Sequence, residues 1–208
     1  MSTYNKNMTC TNKINFNSNK ADASNYYHHN LIVFTGDGKG KTTAALGCVL
    51  RTLSHNMNAI IYSFLKRDSL TKEFYLLEKM GVKIIKSQSP CTWNISKDDM
   101  IACHKEWNDL FNDIKSNILN NSNNINTIVL DEINHLFAIN DFDTSDFENF
   151  LSDLTKIQLN NKTEIKNIIL TGRNCPIKII NNSTICSEIK NLNHCYTKGE
   201  KPIKGIDF

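Results

Sequence analysis

No apolar run in this chain of 208 residues approaches the roughly 20 residues that span a bilayer, so no membrane segment is expected. The first residues hold no apolar core of the kind that serves as a secretory signal. The seven cysteines form no CxxC pair and no His/Cys cluster at zinc spacing. Free thiols in a reducing cytoplasm are the expectation, with Cys48 and Cys103 as small buried hydrophobes on helix faces. An excess of charge of one sign is lacking too, with 24 Lys and Arg against 21 Asp and Glu. The net charge is +3, and no dense basic stripe accompanies it, so nucleic acid is not expected as a partner. There is no internal repeat.

What is present is ordinary in bulk. Hydrophobic residues make up 40% and charged residues 22%, as in a globular protein, and the length suits one domain with a sizeable core. Residues 1–30 are rich in Asn, Ser, Lys and Thr and read as a mobile polar N-terminal arm, with residues 31–208 as the domain. His28 and His29 close the arm; adjacent residues point different ways on any regular element, which argues against a metal site there.

Beyond the arm, short apolar runs alternate with helical patterns. Strands are expected at Leu31–Phe34, Ala59–Phe64, Val82–Ile85, Thr127–Leu130 and Ile168–Leu170. Helices are expected from Thr42 to His55, from Leu70 to Met80 with Gly81 as the stop, from Ser96 with Asp99 as its capping-box partner, and from Ser145 with Glu148. Cys103, Trp107, Leu110, Phe111, Ile114 and Ile118 fall on one helical face, which makes Trp107 a core residue. The Asn-rich stretch 117–126 reads as a surface connection. The alternation predicts an α/β fold: a mainly parallel sheet flanked by helices on both faces. Right-handed crossovers then bring the C-terminal strand ends, and any ligand, to one edge.

The chemistry gathers at that edge. Thr35-Gly36-Asp37-Gly38-Lys39-Gly40-Lys41-Thr42-Thr43 follows a buried strand and opens a helix, where a phosphate loop belongs. Its backbone N–H groups and the helix N-terminus suit phosphate oxygens. Lys41 would neutralise phosphate charge, and the Thr42 hydroxyl would ligate Mg²⁺. The match to GxxxxGK[ST] is displaced: Thr35 stands where the first glycine belongs, and Gly36 comes one place late. Asp131 and Glu132 close the fourth strand, where carboxylates can hold Mg²⁺ directly or through water, or form a solvated acidic turn. Arg173, past the fifth strand, could serve a phosphate or pair with a carboxylate. These residues alone describe a Mg-nucleotide-binding protein, a class that includes hydrolases and kinases.

A resemblance along the chain narrows it. TGDGKGKTTAALG from Thr35 to Gly47 resembles the phosphate loop of the P-loop-type ATP:corrinoid adenosyltransferases, including the displaced glycine and the extra lysine, Lys39. Arg51 follows at the family's spacing. Cys91-Thr92-Trp93 resembles its aromatic-Thr-Trp segment, Val129–Asn134 its VLDEIN block, Leu170–Arg173 its TGR block, and Lys204–Phe208 its closing segment. The resemblance implies a P-loop (RecA-like) fold and transfer of the 5′-deoxyadenosyl group of ATP to Co(I) of a corrinoid, with release of triphosphate. It implies Lys41, Trp93 and Glu132 as catalytic residues, and Mg²⁺ (or Mn²⁺) on Thr42 and Glu132. ATP would be bound by Gly36, Asp37, Gly38, Lys39, Gly40, Lys41, Thr42, Thr43, Arg51 and Arg173. It also implies a homodimer and a flavoprotein electron donor. Departures gather on the corrinoid side: Cys91 replaces a large aromatic, Ser63 a glutamine, His135 an aromatic, and Asn193-His194 a Lys-His pair, while Glu188 matches. The alternatives are a generic Mg-dependent P-loop ATPase or kinase, and a non-catalytic nucleotide- or corrinoid-binding protein.

Overall fold

The structure, a computed structural model, describes residues 29–65, 72–88, 97–121, 124–139, 142–160, 165–193, 199, 201 and 203–206. Among the described residues six strands form one sheet in the order β3-β2-β4-β5-β1-β6. They are β1 (Asn30–Thr35), β2 (Ala59–Ser63), β3 (Lys83–Lys86), β4 (Thr127–Asp131), β5 (Asn167–Thr171) and β6 (Ile185–Glu188). Every pairing is parallel, so every C-terminal strand end lies on the same edge.

The strands are continuous apolar runs because both faces are covered. Leu31, Val33, Ile60, Tyr62, Ile128, Leu130, Ile168 and Leu170 point into one core. There they meet α3 (Lys97–Asn121), α4 (Ile133–Ala138), α5 (Thr144–Leu159) and α6 (Ile177–Asn182) through side chains such as Trp107, Leu136, Phe147 and Ile179. The alternate residues Ile32, Ala59, Ile61, Val129 and Ile169 face a second core, against Ala45 and Val49 of α1 (Lys41–Ser54) and Phe74 and Leu77 of α2 (Lys72–Lys79). This period-two division is the sheet-level signature of helices on both faces. Trp107 is fully buried as expected, and its Nε1 donates to the Phe64 carbonyl at 2.9 Å, so its one polar group is satisfied.

Several details differ from the sequence reading. α5 begins at Thr144, and its cap is Asp143, whose side chain accepts from the Ser145 N–H at 2.8 Å. Glu148 therefore does not close a capping box. It pairs with Lys178 at 2.8 Å and accepts from Asn182 at 3.1 Å, tying α5 to α6. The Asn-rich stretch is no simple surface connection, because α3 runs on to Asn121 with Ile118 fully buried. Asn126 is buried, and its Oδ1 accepts from the Asn58 N–H at 2.9 Å. Gly81 does stop its helix region in a left-handed conformation, at φ +90. β1 starts at Asn30, and His29 ahead of it is buried. The remainder of the N-terminal arm, the Ser96 cap and Trp93 lie outside the described residues. No described helix is long and apolar enough to cross a membrane.

Candidate nucleotide and transfer site

β1 delivers the chain to the phosphate loop at the sheet edge. Thr35 is the last strand residue, and its hydroxyl accepts from the Cys175 N–H at 3.2 Å. The residue standing in for the pattern's first glycine is thus strand and wall together, and the turn starts one residue later. Gly36 has φ +98, a conformation that favours glycine.

The loop is braced from behind by the chain leaving β6. The Ile189 N–H donates to the Thr35 carbonyl at 2.8 Å, and the Gly38 N–H donates to the Ile189 carbonyl at 2.7 Å. A Cβ on Gly36 would lie 2.5 Å from the Ile189 oxygen, and one on Gly38 would lie 2.7 Å from both the Ile189 and Lys190 oxygens. Gly40 differs: it has φ +117 and open space where a Cβ would stand. The front of the loop is open at Gly40, just where α1 begins.

Gly40 caps α1 with no side-chain hydrogen bond, and the first turn holds no acidic residue. The positive helix end, with no acidic side chain in its first turn, suits an anion. Lys41 is buried at 8% exposure, and its ammonium donates to the Gly38 carbonyl at 2.7 Å. The cation is thus held within the loop.

Opposite the loop, Asp131 is fully buried and collects hydroxyls. Its Oδ1 accepts from Thr42 Oγ1 at 2.8 Å and from Thr171 Oγ1 at 2.7 Å, while Ser63 Oγ lies 3.5 Å from Oδ2. Thr171 Oγ1 in turn accepts from the Glu132 N–H at 2.9 Å. Glu132 links β4 to α4 in a left-handed conformation, φ +66, which a non-glycine residue adopts at a cost of about 1–2 kcal/mol. The Thr42 hydroxyl and the two carboxylates are hard oxygen donors, a set suited to Mg²⁺, which takes one or two protein ligands and completes its shell with phosphate and water. Among the described residues no group of three or more His, Cys, Asp or Glu forms a cage on its own.

The structure therefore brings Gly36, Asp37, Gly38, Lys39, Gly40, Lys41, Thr42, Thr43 and Glu132 to one edge. Arg173, exposed just past β5, joins them there. Arg51 does not join them. It lies exposed in the last turn of α1, ten residues past Lys41 and so about 15 Å along the axis. Asp131 is the residue whose role the sequence left open, and only its buried position reveals it as the hydroxyl acceptor. Near the site, His135 is held below the usual imidazole range, first by burial and then by the Arg173 guanidinium.

The sequence model of the family described as ATP:corrinoid adenosyltransferase BtuR/CobO/CobP matches residues 28–208. The chain belongs to this ATP:corrinoid adenosyltransferase family. Its members are alkyl-transferring enzymes, and ATP and a corrinoid are the substrates that the family name states. The corrinoid adenosyltransferase CobA of Salmonella typhimurium is 31% identical to this adenosyltransferase over 180 residues, 86% of this chain and 85% of its own. The corrinoid adenosyltransferase of Escherichia coli K12 is 30% identical over the same shares. That of a Sinorhizobium species is 27% identical over 86% of this chain and 79% of its own. Among solved structures, the flagellar accessory protein FlaH from Methanocaldococcus jannaschii overlaps 77% of the adenosyltransferase and 71% of its own chain, with 15% identity and a TM-score of 0.49.

Proposed function

We propose that this adenosyltransferase grips the triphosphate of ATP as a leaving group while Co(I) of a corrinoid attacks the 5′ carbon. The cobalt–carbon bond forms as the C5′–O bond breaks, and the triphosphate departs with the electron pair. The observation that carries this reading is the Thr42–Asp131–Thr171–Glu132 network facing the uncapped start of α1. It sets a hydroxyl, carboxylates and the positive N-terminal end of α1 where negative charge would build.

Lys41 and Lys39 would stabilise the departing charge, and the α1 N-terminus would add to them. Thr42 and Glu132 would hold Mg²⁺ or Mn²⁺, and Asp131 would orient the Thr42 hydroxyl. When bound, the divalent ion supplies charge neutralisation on the triphosphate. Gly36, Asp37, Gly38, Gly40 and Thr43 would contribute backbone and side-chain contacts around the phosphates. Arg173 would reach them from β5. Arg51 lies too far along its helix to touch the same phosphates, so any nucleotide contact it makes would be at another part of ATP or in a second subunit. Trp93 would wall the corrinoid and favour loss of the lower axial ligand before reduction. The same reading includes a homodimer, a flavoprotein electron donor and a cytoplasmic setting.

The test is anaerobic. The protein is mixed with MgATP and Co(I)-cobalamin, the visible spectrum is followed, and the phosphate product is identified. A light-sensitive alkylcobalt spectrum with one triphosphate per corrinoid is the expected result. Orthophosphate without a spectral change would replace the reading with hydrolysis.

A further inference from the structure

Asn134 lies in the first turn of α4 and is fully buried. Its Nδ2 donates to the Gly172 carbonyl at 3.3 Å and reaches the Phe34 carbonyl at 3.5 Å. One amide therefore ties α4 to the ends of β5 and β1, the second of which runs directly into the phosphate loop. Gly172 has φ +128, and a Cβ there would lie 3.0 Å from Asn134 Cβ and 3.1 Å from the His135 nitrogen. The start of α4 thus sits in the space that glycine leaves free.

Asn134 Oδ1 is buried and has no hydrogen-bond partner among the described residues. An unpaired buried acceptor costs on the order of 1–3 kcal/mol. An apolar side chain of similar shape would avoid that cost, so packing alone does not account for an amide here. What the amide adds is the double tether, and the residue it tethers around is Glu132. Two positions before Asn134, Glu132 is strained at φ +66 and pinned on its other side by its own N–H to Thr171. Strain of this kind persists only where the surroundings over-determine it.

We propose that Asn134 is a positioning residue: by clamping α4 to β5 and β1 it fixes the left-handed turn at Glu132 and so aims that carboxylate at the divalent ion on the ATP triphosphate. This rests on the reading of the site given above. The amide touches neither nucleotide nor ion; it acts through the turn.

The experiment measures ATP affinity of the whole protein by calorimetry, without corrinoid, in the presence and absence of Mn²⁺. The ratio of the two affinities isolates the contribution of the ion. Electron paramagnetic resonance of Mn²⁺ gives a second readout. Asn134→Leu keeps the shape without the donor, and Asn134→Ala serves if the Leu variant does not fold. Both should reduce the Mn²⁺ enhancement by about 10–100-fold, the range for losing a group that orients a metal ligand. Their affinity for metal-free ATP should stay within about threefold of wild type, since the loop and Lys41 are unchanged. A lower melting temperature with an unchanged enhancement would make Asn134 merely structural and overturn the proposal. Glu132→Gln is the control. Loss of enhancement in Glu132→Gln with full enhancement in the Asn134 variants overturns this inference alone. Full enhancement in Glu132→Gln overturns the assignment of Glu132 as well.

Discussion

Replacing Gly38 by alanine tests why the loop needs glycine at all. The usual reason, a left-handed backbone, does not apply, because Gly38 is not among the positive-φ residues. The obstacle is the chain behind it. An added Cβ would lie 2.7 Å from the Ile189 and Lys190 carbonyl oxygens and 2.8 Å from the Lys190 carbonyl carbon, all backbone atoms. Ordinary contact begins at 3.4 Å, so loop and segment must separate by about 0.7 Å. Adding that to the 2.7 Å bond from the Gly38 N–H to Ile189 stretches it past useful geometry. Losing that bond costs about 1 kcal/mol, and overpacking adds about 1–3 kcal/mol. Together they amount to roughly 2–4 kcal/mol, which for a domain of this size lowers Tm by roughly 5–15 °C. The assay is thermal unfolding followed by circular dichroism without nucleotide. Gly40→Ala provides the contrast, since nothing lies within 4 Å of its Cβ and its strain is purely conformational, at φ +117. That variant should lose ATP affinity more markedly than Gly38→Ala, because its methyl group stands on the open front of the loop. A Gly38→Ala protein that melts within about 2 °C of wild type, yet binds ATP poorly, would refute the argument: its glycine would then serve the phosphate and not the brace.

Other outcomes can be stated briefly. Lys41→Ala should weaken ATP binding by roughly 10–100-fold in calorimetry, the loss of about one charge-assisted hydrogen bond, and should abolish turnover. For His135 the folded pKa lies below the unfolded value of 6.5, so the folded state takes up its proton later. Its penalty is absent above pH 6.5 and grows as pH falls through that value toward the folded pKa. His135→Gln should therefore flatten part of the fall in Tm between pH 7.5 and 5.5, and superimposable wild-type and variant profiles would contradict this. Burial, and then the neighbouring Cys186, push the Cys175 thiol up to about 12. At pH 8 only about one part in ten thousand is thiolate, so mass spectrometry after brief iodoacetamide treatment should find Cys175 unmodified. Trp93→Ala should slow reaction from Co(II) more than reaction with pre-reduced Co(I), and equal losses would remove Trp93 from the reduction step.

The sequence was most legible where both faces of an element are buried. Ile60–Tyr62 and Ile128–Leu130 are unbroken apolar runs because the sheet is covered twice, and they fell where expected. It was least legible at the edge of the sheet. β6 presents Ile185, Cys186 and Glu188 to solvent, so no apolar run announces it. α4 and α6 have six residues each, less than two turns, too short to establish a period. Ser145 looked like a cap because Glu148 follows at the right distance, but Asp143 starts the helix first and Glu148 is drawn away to Lys178. In the site, the phosphate loop and Glu132 were readable as motifs. The acceptor role of Asp131 was not, since three hydroxyls reach it from residues 42, 63 and 171, far apart along the chain. Arg51 was expected to bind ATP from the family resemblance, and α1 sets it about 15 Å along the axis from Lys41.

The strand order turns the sheet into a ruler. β5 lies between β1, which carries the phosphate loop, and β4, which carries Asp131. Two strand spacings set those backbones about 9.5 Å apart. Such a gap is too wide for a direct contact between loop and carboxylate backbones, yet wide enough for a hydrated ion and the oxygens of a phosphate. Thr171 stands at the end of the middle strand. Its hydroxyl donates to Asp131 and accepts from the Glu132 N–H, tying the carboxylate and the turn after it to the middle strand. A valine would keep the shape and remove both ties. The separation of loop and carboxylate is thus set by the topology of the sheet, and the hydroxyl of the strand between them links the carboxylate to the turn that follows it.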